Sequence, residues 1–357
     1  RRARRPVFLC GLGLGVLSTL GYLVPGRLWL FLLARLLWGI SWSLIYIGAY
    51  TMVVDITGPA DRGRASGVLQ AFFFAGLSLN PLLGGALTDW LGFRAALLIC
   101  ASLAGLGFLV ALITLPETRC AHGSPPGAAK RVAGLAGARL GQVLHWLARR
   151  PRILAAYYLF LLATFVGDGL VMSTISLHLR HRYGEVVSLG SWSWPVATAG
   201  GALLALRALT SAAVAPLAGH FSDSAHDRWG AVAGGVLAGV VGMGLLALVH
   251  GAHLLALAVG LVALGGGALY TVLPAAVGDL AEKEHSGPVM GGLMTSGDLG
   301  SAVAPLAAYG LLAVLPLPGT YLISAFILAT GFGALWLVRR QEGMGRKRVA
   351  TPEETKL

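Results

Sequence analysis

Residues 28–55, LWLFLLARLLWGISWSLIYIGAYTMVVD, and residues 252–279, AHLLALAVGLVALGGGALYTVLPAAVGD, decide how this chain folds. Each is an apolar run that closes on an aspartate, Asp55 in one and Asp279 in the other. Each is long enough to cross the roughly 30 Å hydrocarbon core as a helix. Neither alternates polar with apolar residues, so both read as helices and not as barrel strands. The two runs lie 224 positions apart, and the same offset links their neighbours. Adding 224 to 7–24, 28–54, 66–88 and 93–115 reaches four further apolar runs within a residue or three. Gly67 lands on Gly291, Gly76 on Gly300 and Pro81 on Pro305. One offset across four helices means two homologous halves.

Composition agrees. The chain has 357 residues, 56% of them hydrophobic and 12% charged, about half the charge of an ordinary soluble domain. Such a chain cannot clothe a water-facing surface, so it reads as an all-α membrane protein. Ten spans are expected, at 7–24, 28–54, 66–88, 93–115, 153–177, 194–219, 230–249, 252–280, 287–313 and 318–338. The net charge of +12 reflects topology and no nucleic-acid partner, because the basic residues lie between spans. With the start in the cytoplasm, 21 of the 27 Lys and Arg fall in cytoplasmic segments. Four (Arg27, Arg94, Arg180, Arg182) fall outside and two (Arg35, Arg207) within spans. That asymmetry places both termini in the cytoplasm of a multi-pass cell-membrane protein.

The organisation expected is an N-terminal half at 1–119, a basic linker at 120–151, a six-helix half at 152–338 and a tail at 339–357. The linker reads equally as a plain tether or as a helix lying on the inner membrane surface. Spans 153–177 and 194–219 have counterparts only before residue 1. The repeat therefore expects ten of twelve transmembrane helices here, the first two lying upstream.

These features resemble the major facilitator superfamily, whose members have two six-helix halves joined by a long cytoplasmic loop. Arg1-Arg2-Ala3-Arg4-Arg5 is similar to the basic end of the family's loop between its second and third helices, with Ala3 where the family has Gly. Gly219-His220-Phe221-Ser222-Asp223, then Asp227-Arg228, is its stretched echo in the second half. Arg35 with Gly39 matches the family's fourth helix, which here ends in Asp55 before Arg62-Gly63-Arg64. The resemblance implies that this acidic end pairs with the loop arginines and latches a cytoplasmic gate, with Asp55 and Arg4 the candidate pair and Asp279 the second-half counterpart of Asp55. Gly76-x-x-x-Asn80-Pro81-x-x-Gly84-Gly85 is similar to the fifth-helix motif of proton-coupled drug exporters, except that Asn80 replaces a Gly. Small residues there let helices approach closely, and Pro81 bends the helix.

Four charges fall inside spans: Arg35, Asp168, Arg207 and Asp298. A charge at the helix centre costs about 2.5–3.5 kcal/mol on insertion scales, so such residues are functional candidates. By the resemblance, all four lie on helices that line the cavity or the interface between halves. Asp298 and Arg207 fall near the midplane, Arg35 and Asp168 in the outer half. Each aspartate is open to two roles, proton carrier or permanent ion pair. Asp298 is the better placed carrier, because its repeat counterpart is Phe74. Trp38, Trp42, Tyr46 and Tyr50 recur every four residues and share one helix face, a stacking surface for a substrate or a packing face. Tyr270 and Asn80, with Tyr157 and Tyr158, are further cavity candidates. His178, His181, His250 and His253 read as solvated residues of outer span ends and loops.

The chain shows no catalytic arrangement, metal motif or phosphate loop, and implies neither an enzyme nor a cofactor. The expected function is a secondary transporter moving a small solute by alternating access, as proton-coupled efflux and as a monomer. The alternatives are uptake of a sugar or organic acid by symport, and a non-transporting truncated homologue acting as a membrane sensor or scaffold.

Overall fold

A computed structural model describes residues 4–24, 28–56, 62–117, 150–189, 192–225, 227–249, 251–280 and 286–349. The chain divides into two compact units, 1–135 and 136–357. The linker after Glu117, up to residue 149, and the last eight residues lie outside the described residues.

The N-terminal unit is built from α1 (Arg4–Gly21), α2 (Leu28–Ile56), α3 (Arg62–Leu91) and α4 (Phe93–Thr114). The C-terminal unit holds α5 (Pro151–Tyr183), α6 (Val196–Ser224), α7 (Arg228–Leu248), α8 (Ala252–Leu280), α9 (Ser286–Leu312) and α10, which runs from Leu317 to Ala329 and on past Thr330 as Gly331–Val349. These correspond to the ten expected spans. Among the described residues, seven (α2, α4, α5, α6, α7, α8 and α10) are long and apolar enough to cross a membrane. The repeat is visible to the residue in the helix starts: Arg4 and Arg228, Leu28 and Ala252, Arg62 and Ser286, Phe93 and Leu317 are each 224 apart.

In a bilayer, lipid tails are as apolar as the side chains, so close packing and hydrogen bonds hold helices together. Both units solve this at the same place. In the N-terminal unit the Ser18 hydroxyl donates to the carbonyl of Ala34 at 2.7 Å, and Ser41 donates to Gly11 at 2.8 Å. These bonds pin α1 to α2. The counterparts in the C-terminal unit are Gly242, Ala258, Gly265 and Gly235. There a Cβ on Gly242 would lie 2.9 Å from the carbonyl oxygen of Ala258, and one on Gly265 2.5 Å from that of Gly235. Hydroxyls bridge the crossing in one unit, and bare backbones touch in the other.

One element was not expected. Between α5 and α6 the chain forms a hairpin of β1 (Val186–Leu189) and β2 (Trp192–Pro195), with Val186 opposite Pro195. It follows the left-handed turn at Gly184, φ +77°. Helix α5 also runs six residues past the expected end at 177, because the polar run His178–Tyr183 continues the helix beyond the apolar stretch.

The crossing makes a graded prediction. Gly265→Val forces a branched side chain into touching backbones and should cost about 1–3 kcal/mol or more. Ser41→Gly removes one interhelical hydrogen bond, about 0.6 kcal/mol in membrane proteins. Thermal unfolding of the detergent-solubilised protein should show the larger fall in Tm for Gly265→Val.

Candidate functional site

Helix α5 does not stay an α-helix. Residues Phe165–Val171 wind as a π-helix, with Asp168 in the middle. Such bulges put an extra residue into a turn and turn up often at functional sites. The local sequence is Gly167-Asp168-Gly169, and both glycines are sterically required. A Cβ at Gly167 would meet the guanidinium of Arg207 at 2.8 Å. One at Gly169 would run into Ala304 and the carbonyl oxygen of Ser301 on α9. The aspartate is therefore presented between a close helix crossing and an arginine.

Arg207, from α6, forms an ion pair with Asp168 through Nη2 and Oδ1. The Tyr270 hydroxyl, from α8, donates to Asp168 Oδ2 at 2.9 Å, and the Tyr270 ring meets Phe160 edge-on. Three helices thus contribute one group each. The pair is lopsided: the Arg207 side chain is 8% exposed and the Asp168 side chain 40%. The carboxylate is open on one side while the guanidinium is enclosed, its Nε without a hydrogen-bond partner among the described residues. Asp168 lies about midway along α5, where it reaches Arg207.

The other intramembrane charges are not gathered here. Asp298 is exposed on α9, where its backbone carbonyl accepts from Ser301, and its carboxylate makes no ion pair among the described residues. Arg35, in the N-terminal unit, is exposed and stacks on the rings of Tyr22 and Phe31, 5.6 Å from each centroid.

The α2 aromatics form a continuous ladder. Trp38 meets Trp42 at 6.3 Å, Trp42 stacks on Tyr46 at 5.7 Å, and Phe73 of α3 packs against both Trp42 and Tyr46. The side chain of Tyr50 lies outside the described ones. Asn80 is exposed on α3, which carries Pro81 within it, as α9 carries Pro305. Gly76 and Gly84 face open space within their unit, whereas the counterpart Gly300 lies at the crossing with Leu161 and Thr164 of α5. Tyr157 and Tyr158 have structural partners: the Tyr157 hydroxyl donates to the Val289 carbonyl at 2.6 Å, and the Tyr158 hydroxyl meets the Thr330 hydroxyl at 2.5 Å.

The loop motif of the second half is assembled. Arg228 bridges two acids, Asp223 at 2.9 Å and Asp279 at the end of α8, with Ser222 at 3.3 Å. Arg228 and Asp279 are the repeat counterparts of Arg4 and Asp55. In the N-terminal unit the side chains of Asp55 and Arg62 lie outside the described ones. There Glu117 accepts from the backbone amides of Arg4 and Arg5 at the start of α1, and Arg5 Nη2 donates to the Leu112 carbonyl at 2.6 Å. The histidines correct one expectation: His178 is not solvated but buried, its ring 5.4 Å from that of Tyr321.

A helical membrane protein with a repeated core and a charged cluster at mid-span belongs to the class of polytopic transporters. The sequence profile of the Major Facilitator Superfamily matches residues 1–205 and again 165–357, and the chain belongs to that family of membrane transporters. It is 29% identical over 304 residues to the class G tetracycline resistance protein of Vibrio anguillarum, covering 85% of this chain and 72% of that one. It is 37% identical over 108 residues to the puromycin resistance protein of Streptomyces alboniger, 30% of this chain and 21% of that one. Among solved structures, a bacterial homologue of the human lysosomal transporter Spinster superposes with a TM-score of 0.75 at 16% identity, over 95% of this chain and 84% of that one. A POT-family transporter does so with a TM-score of 0.72 at 13% identity, over 96% and 82%.

The lopsided pair predicts unequal mutants. Asp168→Ala leaves the enclosed Arg207 uncompensated and should cost about 3–5 kcal/mol. Arg207→Met leaves only the half-open carboxylate and should cost less. Joining the two changes removes both charges and should recover most of the loss, as read from Tm in detergent.

Proposed function

We propose that this protein is a proton-coupled exporter of small amphipathic solutes, working by alternating access, with Asp168 as the group that takes up and releases the proton. The observation that carries the reading is the Asp168–Arg207–Tyr270 cluster on a π-helical turn at mid-span. A deprotonated Asp168 is held by Arg207 and Tyr270. A proton arriving on its open side neutralises the carboxylate, cancels the ion pair and frees the π turn to rearrange. A permanent tie would have both partners enclosed, whereas this carboxylate is not.

The Trp38–Trp42–Tyr46 ladder gives a flat aromatic solute a surface to stack on. The similarity to tetracycline and puromycin resistance proteins supports export and solutes of that kind. Arg228, held by Asp223 and Asp279, is the latch of the cytoplasmic gate, and Arg4 with Asp55 its counterpart. The protein sits in the cell membrane with both termini in the cytoplasm, as the distribution of arginines and lysines supports.

Expression in a host stripped of its own exporters should raise tolerance to tetracycline or puromycin. In proteoliposomes under an imposed pH gradient, Asp168→Asn should reduce driven accumulation to the level of empty vesicles. Asn keeps an acceptor for Arg207, so this variant should remain folded and monodisperse. Asp298→Asn should retain driven accumulation. Unchanged driven transport in Asp168→Asn would overturn the assignment.

A further inference from the structure

Some ten residues along α5 from Asp168, about 15 Å at helical rise, the C-terminal unit carries a separate, half-open pocket of about 360 Å³. One wall is a single face of α5, because His178, His181 and Arg182 lie three and four residues apart. The opposite wall is Tyr309 and Leu312 near the end of α9, with the turn 315–318 that leads into α10. The volume falls in the range of small-molecule sites, which are mostly apolar with a few placed polar groups. This lining fits that description: leucines and prolines form the body, and the polar groups gather on the α5 side.

Arg182 is the one formally charged residue in the lining among the described residues. No carboxylate lines the cavity among the described residues. The neighbouring acid, Glu185, is paired with Arg180 at 2.7 Å. Arg182 has no such partner among the described residues, so its charge is uncompensated. His178 is 6% exposed and makes no hydrogen bond among the described residues, although it lines the cavity. The other wall adds to the same field. Helix α10 starts at Leu317 behind Pro316 without a side-chain cap, so its positive N-terminal end borders the cavity.

We propose that this cavity is a second binding site, distinct from the Asp168 cluster, for an amphipathic anion: a short hydrocarbon body with a carboxylate or phosphate head. The apolar walls take the body. Arg182 takes the head with charge-assisted hydrogen bonds, and His178 and His181 supply further donors. On the orientation proposed above, the site opens at the outer end of the helices, where it can receive a free amphiphile or the headgroup region of an anionic lipid.

The test uses the full chain in nanodiscs of zwitterionic phosphatidylcholine, titrated by calorimetry with octanoate, octyl phosphate and, as the uncharged control, octanol. Both anions should give a saturable one-site isotherm, and octanol only the heat of partition into the disc. Arg182→Gln should weaken octanoate binding by about tenfold, the loss of one charge-assisted hydrogen bond, and Arg182→Lys should restore much of it. Arg182 is exposed, so folding is not at stake. Discs that also carry phosphatidylglycerol separate the sources: suppressed octanoate binding identifies the anionic lipid as occupant, and unchanged binding the free amphiphile. Octanol binding as tightly as octanoate, or Arg182→Gln matching the parent protein, would overturn the site. Binding is read without transport, so this result stands apart from that for Asp168.

Discussion

The close crossing of α1 with α2, and of α7 with α8, is the constraint on which the rest of each unit depends. Inside hydrocarbon every backbone amide must find its partner within its own helix. Helices so saturated have little left to hold each other except contact at short range. Gly11 and Gly235 occupy the same repeat position, and each faces a small residue on the partner helix, Ser41 in one unit and Gly265 in the other. Two different chemistries at one position, a hydroxyl bond and a bare backbone contact, hold the helix pair together in each unit.

A second dependence runs through the glycines of α5. A π turn displaces every later residue around the helix, and it persists only where neighbours hold it. Here the neighbours are α9, pressed against Gly169, and the Arg207 guanidinium, lodged over Gly167. The ion pair and the distorted turn are therefore one structure: neither glycine could carry a side chain without moving the arginine or α9. This ties the Asp168–Arg207 ion pair to backbone geometry.

The spans and the repeat were legible in the sequence because hydropathy and a constant offset act over twenty residues at a time. The helix starts fall 224 apart, as the apolar runs do. The aromatic face of α2 was legible too, since a four-residue spacing is a helical property. The site was legible only in its parts. Asp168, Arg207 and Tyr270 are each visible as polar groups in apolar runs, yet their meeting depends on how three helices pack, which no local spacing encodes. Gly-Asp-Gly at 167–169 carried the missing signal, two small residues flanking a charge. The hairpin at 186–195 escaped notice because a four-residue strand leaves no periodicity to read. The burial of His178 was hidden because a helix end that looks polar in sequence is covered by Tyr321 from α10.

The repeat also explains why equivalent positions came to differ. Tyr46 and Tyr270 are counterparts, 224 apart on α2 and α8. Tyr270 donates to Asp168 and is enclosed by α5 and Phe160. Tyr46 stacks on Trp42 and meets Phe73 edge-on. The helices around them account for the difference: the membrane-length part of α8 is 56% buried, packed by α5 and α6, and that of α2 is 11% buried. A tyrosine beneath other helices can keep its hydroxyl only with a hydrogen-bond acceptor at hand, and Asp168 is that acceptor. A tyrosine on a more open face presents its ring. The repeated helix thus carries a tyrosine bonded to a carboxylate in one unit and an aromatic surface in the other.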